Sequence, residues 1–257
     1  MNIYVLIKRT FDTEEKIVIR DGQIQEDDAE FIINPYDEYA IEEAIRQREQ
    51  HGGKVTVVTL GKSVAEKQLR TALAVGADRA VLIELADDCQ SLDRYKISEV
   101  LATYLKSQQP DLILVGNVAI DGGSGQIGPR IADILAINYV TTITGLKIQG
   151  KKVKITRDVE GDIEELETSL PLLITAQQGL NEPRYPSLPG ILKARKNPIE
   201  ELKIDDLNIE LEDIETKIEV VDVFLPSKKN GGHILEGNLQ TRVTTLVQLL
   251  HSEAKVI

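Results

Sequence analysis

The chain has 257 residues, 42% hydrophobic and 28% charged, with a net charge of −12. Its length fits one large domain or a domain with appendages, and its apolar share fills a core unaided by disulfides or metal. The acidic balance argues against a general nucleic-acid or anionic-membrane binder, and the lone cysteine, Cys89, suits a reducing cytoplasm. No apolar run approaches the roughly 20 residues of a membrane helix. In Met1–Arg9 the apolar stretch precedes the charges, the reverse of a signal peptide, so a soluble cytoplasmic protein is expected.

With no Trp and only 3 Phe, the core rests on Ile, Leu, Val and Ala, as in helices packed on a parallel sheet. Five apolar runs read as buried strands: Ile3–Ile7, Val55–Leu60, Ala80–Leu85, Leu112–Val115 and Tyr139–Ile143. Between them, Ala40, Ile41, Ala44 and Ile45 recur at helical spacing, as do Ile97, Val100, Leu101, Tyr104 and Leu105. Asn34-Pro35 reads as a helix cap and first helical residue, Ser63 with Glu66 as a capping box, and Gly76 as a helix stop. The alternation predicts an open α/β, doubly wound, mostly parallel sheet of order 3-2-1-4-5. Val153–Arg157 and Leu172–Ala176 are expected as extra C-terminal strands flanking an acidic stretch. Residues 197–217 read as an acidic, solvated connection. Leu235–Leu250 returns to helical spacing, with Leu239, Val243, Leu246, Val247 and Leu250 on one face. The expected division is 1–196 and 197–257.

The most chemical segment runs Gly116, Asn117, Val118, Ala119, Ile120, Asp121, Gly122, Gly123, Ser124, Gly125, Gln126, Ile127, Gly128. It follows a strand and precedes the helical pattern Ile131, Ile134, Leu135. Such a turn points backbone N–H groups and a helix dipole at an anion, and its glycines let the chain approach phosphate. Ser124 and Gln126 add donors, while Asp121 suits a sugar hydroxyl or an ordering role in the loop. Gly123, Gly125 and Gly128 match G-x-G-x-x-G, but after the fourth strand rather than the first, and Tyr139–Ile143 supplies no ribose-binding acid. An ordinary flexible loop stays open on these residues alone. In the 3-2-1-4-5 order, Lys8, Arg9 and Asn34–Asp37 approach the same crevice, where open α/β sheets bind ligands.

Several separated motifs resemble the electron transfer flavoprotein beta subunit. They are Lys8-Arg9; Asn34-Pro35-Tyr36-Asp37-Glu38 with Ala40-Ile41-Glu42-Glu43-Ala44; Leu69-Arg70-Thr71-Ala72-Leu73-Ala74 with Gly76-Ala77-Asp78-Arg79; and Ala119-Ile120-Asp121 with Gln126 and Gly128. The most specific is Leu180-Asn181-Glu182-Pro183-Arg184-Tyr185-Pro186-Ser187-Leu188-Pro189, ending in Lys193-Ala194-Arg195-Lys196. The resemblance is in register from about residue 1 to 198. It implies a non-enzymatic electron carrier: a heterodimer whose alpha subunit holds most of a redox-active FAD. Electrons come from dehydrogenases such as acyl-CoA dehydrogenases and pass to a respiratory-chain oxidoreductase. This chain is then expected to hold a structural AMP through Leu6, Asn34, Pro35, Tyr36, Asp37, Leu60 and the loop from Gly116 to Ile127. Thr13 falls at the family's flavin-ring position, where an aromatic residue is frequent. Asp158, beside Arg157, falls at a strand position that can pair with the alpha subunit; a local surface ion pair is the alternative. Leu188 matches the anchor of a partner-recognition loop that the three prolines hold extended, with Lys193, Arg195 and Lys196 placed to steer an acidic partner.

A bifurcating relative would carry a second FAD in place of AMP and oxidise NADH; Thr10-Phe11-Asp12-Thr13, where that type has Pro-Asp-Thr, leans against it. A stand-alone nucleotide-using enzyme needs a metal cluster or base, and His51, His233 and His251 are scattered. Asp27-Asp28 and Asp205-Asp206 read as solvated loops. A solitary nucleotide sensor fits poorly with the docking segment and the apolar C-terminal helix.

Overall fold

The computed structural model describes residues 1–27, 29–85, 92–227 and 231–257. Cys89 and Asp28 lie outside the described residues. The strands are β1 (Asn2–Leu6), β2 (Arg9–Phe11), β3 (Ile19–Arg20), β4 (Gln23–Ile24), β5 (Phe31–Ile33), β6 (Lys54–Gly61), β7 (Arg79–Glu84), β8 (Leu112–Gly116), β9 (Asn138–Gln149), β10 (Lys152–Val159), β11 (Asp162–Ser169), β12 (Leu172–Ala176) and β13 (Glu200–Lys203). The helices are α1 (Pro35–His51), α2 (Glu66–Val75), α3 (Arg94–Gln108), α4 (Ile127–Leu135), α5 (Leu188–Ala194) and α6 (Leu239–Leu249). They form two compact units. One comprises Met1–Val18 with Gln25–Val221, the other Ile19–Ile24 with Asp222–Ile257.

In the first unit nine strands run in the order β11-β10-β9-β12-β8-β1-β6-β7-β13. Side-chain alternation along the central strands divides two cores. Ile3, Val5, Val55, Val57, Leu112 and Leu114 face α1 and α2, whose Ala40, Ile41, Ala44, Leu69 and Leu73 cover them. Tyr4, Leu6, Val58, Ile113 and Val115 face α3 and α4, under Leu101, Leu105 and Ile131. This is the doubly wound arrangement, with β7-β6-β1-β8 parallel throughout.

The fifth run does not follow the fourth in space. β12 pairs with β8, and β9 lies one place further out. Burial explains the exchange. All five residues of β12 are buried, whereas β9 exposes Asn138 and Tyr139, so the more apolar, wholly buried strand takes the inner place. Beyond a left-handed Thr142 (φ 56°), the rest of β9 pairs antiparallel with β10, and β10 with β11, which is the acidic stretch. At the other edge, residues read as a solvated connection supply β13, parallel to β7, and a 3-10 turn that buries Ile204.

Ser63 does not cap α2. Ser63–Ala65 forms a 3-10 turn, and Glu66 is taken by Arg70 at 2.8 Å. Arg70 in turn donates to the carbonyls of Ala194 (2.8 Å) and Asn197 (2.5 Å), which caps the end of α5. Leu188, read as lying in a loop too rich in proline for a helix, is the first residue of α5. Ser187 caps that helix by accepting from Gly190 N, and Pro189 occupies the first turn, where no N–H is missed.

In the second unit, β3 and β4 form a hairpin whose Asp21-Gly22 turn has φ 51° and 71°. α6 starts later than the apolar spacing suggests, because Asn238 caps it by accepting from Thr241 N at 2.9 Å. Its apolar residues remain exposed, with Leu239 at 79% and Val243 at 48%.

Candidate functional site

Strand order fixes where a crevice opens. β1 and β8 are parallel neighbours whose following segments diverge to opposite faces, so their carboxyl ends leave a cleft. The cleft holds a cavity of 170 Å³.

Its frame is a clamp between α1 and the two strand ends. Asn34 precedes Pro35 at the start of α1, but its side chain does not cap the helix. Instead Nδ2 donates to Val118 O and Asp37 Oδ1, both at 2.9 Å, and Oδ1 accepts from Ile120 N at 3.1 Å. Asp37, one turn into the helix, accepts from Lys8 N at 2.7 Å and from Gly116 N at 3.0 Å. Burial pushes its carboxyl up to about 7, against the pull of those three donors and the Lys8 charge. Both side chains are thus committed to holding the exit of β1, the exit of β8 and the glycine loop together. Gly116 is required by this clamp: a Cβ there would stand 2.2 Å from Asp37 Oδ1.

The loop turns where Gly122 and Gly123 donate to Ala119 O, at 3.1 and 2.8 Å. Gly123 and Gly125 both have φ of 60°, the left-handed region that glycine enters without steric cost. Lys8 Nζ lies 2.7 Å from both oxygens of Asp121, so that acid is held by the chain's own cation. Gly128 sits against β8 and β12, where a Cβ would come within 3.0 Å of Thr175. The three glycines of the motif therefore serve the turn, the left-handed backbone and close helix-on-sheet packing. At the start of α4, Gln126 provides no side-chain cap and accepts from Arg130 instead. Its leading N–H groups and the positive end of its dipole border the cavity, which Ser124, Gly125, Gln126 and Ile127 line.

Leu6, Asn34, Asp37, Leu60, Gly116, Asn117, Val118, Ala119 and Gly122 also line the cavity. Pro35, Tyr36, Ile120, Asp121 and Gly123 do not line it. Sequence reasoning missed Ile7, Arg94, Ile97, Leu101 and Val115 as lining residues. Arg94 opens α3 and donates to Gly122 O at 3.2 Å. The signal for it was topological, since α3 follows β7, which is parallel to β1 and β8 in the same sheet.

The Pro-rich segment is anchored elsewhere on α1. Arg184 binds Glu42 through Nε (2.8 Å) and Nη2 (3.0 Å), and Glu49 through Nη1 (2.8 Å). Gly190 packs on α2, where a Cβ would meet Ala74 O at 2.3 Å. So held, the segment exposes Tyr185 at 93%, Leu188 at 71% and Leu192 at 53%, with Lys193, Arg195 and Lys196 also exposed. Arg157 is bound to its cross-strand neighbour Glu164 at 2.7 Å, and Asp158 is exposed with no ion pair among the described residues. Thr13 is exposed. Among the described residues no group of acids, histidines or cysteines is arranged to hold a metal, and no helix is long and apolar enough to cross a membrane.

An open doubly wound sheet with an uncapped helix start and a glycine turn at its switch point defines the class: an α/β protein with an anion-ready crevice. Comparison with known proteins narrows it. A family model described as electron transfer flavoprotein domain matches residues 21–207. The electron transfer flavoprotein subunit beta of Bacillus subtilis (strain 168) is 62% identical over the whole of both chains. That of Syntrophomonas wolfei is 37% identical, over 100% of this chain and 98% of its own. The Homo sapiens counterpart is 34% identical, over 90% and 91%. The chain belongs to the electron transfer flavoprotein family, as a beta subunit.

Proposed function

We propose that this chain pairs with an alpha subunit to form a heterodimeric carrier that takes electrons from flavin dehydrogenases, such as acyl-CoA dehydrogenases, and delivers them to a respiratory-chain oxidoreductase. It holds a structural AMP, presents Leu188 to the donor, and docks on the alpha subunit through Asp158 and the C-terminal arm. FAD, held mainly by the alpha subunit, supplies the electron chemistry when bound.

The crevice supports the AMP assignment. Leu6, Leu60, Ile97 and Leu101 give the crevice apolar lining suited to a base. The N-terminus of α4, Lys8 and Arg94 also border it, which suits a phosphate. The exposed Leu188, on a helix fixed to α2 rather than on a loose loop, supports the docking role.

The observation that carries the reading is the uncapped start of α4 beside Gly125. Denaturing the purified chain and chromatographing what it releases should yield AMP, one per chain. Gly125→Leu should release far less, since the position needs a left-handed φ and a Cβ would stand 3.3 Å from Asn117 O. Release of FAD, or equal AMP from both proteins, would defeat the assignment.

A further inference from the structure

The middle of α1 carries a buried carboxyl group, Glu43, that forms no ion pair among the described residues. Glu43 is 5% exposed, and among the described residues no lysine, arginine or histidine lies within 4.0 Å of it. The neighbouring cations are committed elsewhere: Arg46 and Arg184 to Glu42, Arg48 to Asp78. Glu43 instead accepts from two amides, Gln47 Nε2 at 2.7 Å and Asn181 Nδ2 at 3.2 Å. Asn181 also donates to Tyr39 O at 3.0 Å. This orientation leaves Gln47 Oε1 and Asn181 Oδ1 buried without a hydrogen-bond partner, and Gln47 is only 2% exposed. Turning either amide over would set its oxygen against the carboxylate, so the bare oxygens follow from the acid. Gln177, in the turn leading into Asn181, has a third buried oxygen in the same condition. Glu43 and Gln47 line a cleft of 590 Å³ that gives access from outside.

We propose that Glu43, Gln47 and Asn181 hold a hard monovalent cation, sodium or potassium. A buried carboxylate without a cation and carbonyls without donors are both costly, and a cation seated beside the carboxylate lowers both costs. Oxygen-only donors select a hard ion. A single carboxylate balances one positive charge, whereas calcium sites gather several. The ion ties α1 to Asn181, at the root of the Pro-rich segment, and is independent of what the crevice binds.

The test is thermal melting of the full chain in sodium, potassium or tetramethylammonium chloride at equal ionic strength, together with sodium-23 NMR line broadening. One of the small ions should raise the melting temperature saturably over tetramethylammonium, and protein should broaden the sodium signal. A chain of net charge −12 also gathers counterions without a site, so the decisive variant is Gln47→Leu, which leaves the charge unchanged. It should move the midpoint of the ion response by roughly tenfold or more, at least what losing an outer-shell partner costs a metal site. Glu43→Gln should abolish the response. Equal melting in all three salts would overturn the site, leaving water or Lys147, which lines the same cleft, to meet those oxygens. An unaltered midpoint in Gln47→Leu would overturn it as well.

Discussion

Gly116→Ala should be among the most damaging single-methyl additions in the molecule. The added Cβ would stand 2.2 Å from Asp37 Oδ1, 2.8 Å from Tyr36 Cβ and 2.9 Å from Asp37 N. Carbon contacts settle at about 3.5 Å or more, so the neighbours must give by roughly 1 Å. Rotating Asp37 does not relieve this, because two of the three atoms belong to the backbone or first carbon of α1. The exit of β8 must therefore move away from the helix, and the bonds from Gly116 N (3.0 Å) and Asn34 Nδ2 (2.9 Å) to Oδ1 are strained or lost. Above pH 7, where the Asp37 carboxyl is charged, hydrogen bonds to it contribute about 1.5–3 kcal/mol each, which puts the loss at roughly 3–6 kcal/mol.

Gly116 does not have a left-handed φ, so its substitution isolates the steric effect. Gly123→Ala is the matching control: it meets no atom within 4 Å and incurs only the left-handed strain, about 1–2 kcal/mol. For a chain of this size each kcal/mol moves the melting temperature by about 2–4 °C, so Gly116→Ala should fall by on the order of 10 °C. Circular dichroism melting and urea titration of both variants measure the difference. A Gly116→Ala protein melting within about 2 °C of the unsubstituted chain would refute the clamp.

Two further outcomes follow from the same geometry. Asp37 is raised from 3.8 to about 7, so its contribution to stability is fully present below about pH 4 and is lost as pH rises through 7; its carboxyl carbon should titrate near 7 by NMR, and a midpoint near 4 would contradict the burial argument. Leu188→Ala should leave the melting temperature unchanged, because the side chain is 71% exposed, yet slow flavin reduction by a reduced acyl-CoA dehydrogenase about tenfold at sub-saturating partner; a lowered melting temperature or a normal rate would remove the anchor role.

What the sequence made legible depended on how local the cause was. The strand runs and the glycine turn are written in consecutive residues, and Gly125 needs glycine for a reason visible from its neighbours. The place of β12 was not legible, because Tyr139–Ile143 and Leu172–Ala176 differ only in how completely they are apolar. That difference decides which strand sits inside. Ser63 and Glu66 have capping-box spacing, but Glu66 is claimed by Arg70, which reaches α5 more than a hundred residues away in sequence. Residues 200–207 look solvated by charge, yet Leu202 and Ile204 pack on the core and β13 pairs with β7. Leu188 looked like a loop residue because prolines surround it, although the first turn of a helix tolerates them.

Asn34 shows the same principle from the other side. Its spacing before Pro35 correctly marks where α1 begins, but its side chain serves the glycine loop rather than the helix end. α1 therefore holds two distant things. Its N-terminal turn carries Asp37 and the crevice, and further along Glu42 and Glu49 grip Arg184 of the Pro-rich segment. Glu42 is 3% exposed, so the carboxylate end of its pair with Arg184 is sheltered, while the Arg184 side chain is 36% exposed and that end is weakened by solvent. A rigid helix with 1.5 Å of rise per residue fixes the spacing between those two attachments. Glu42 and Glu49 of α1 register the Pro-rich segment to the same helix that frames the crevice.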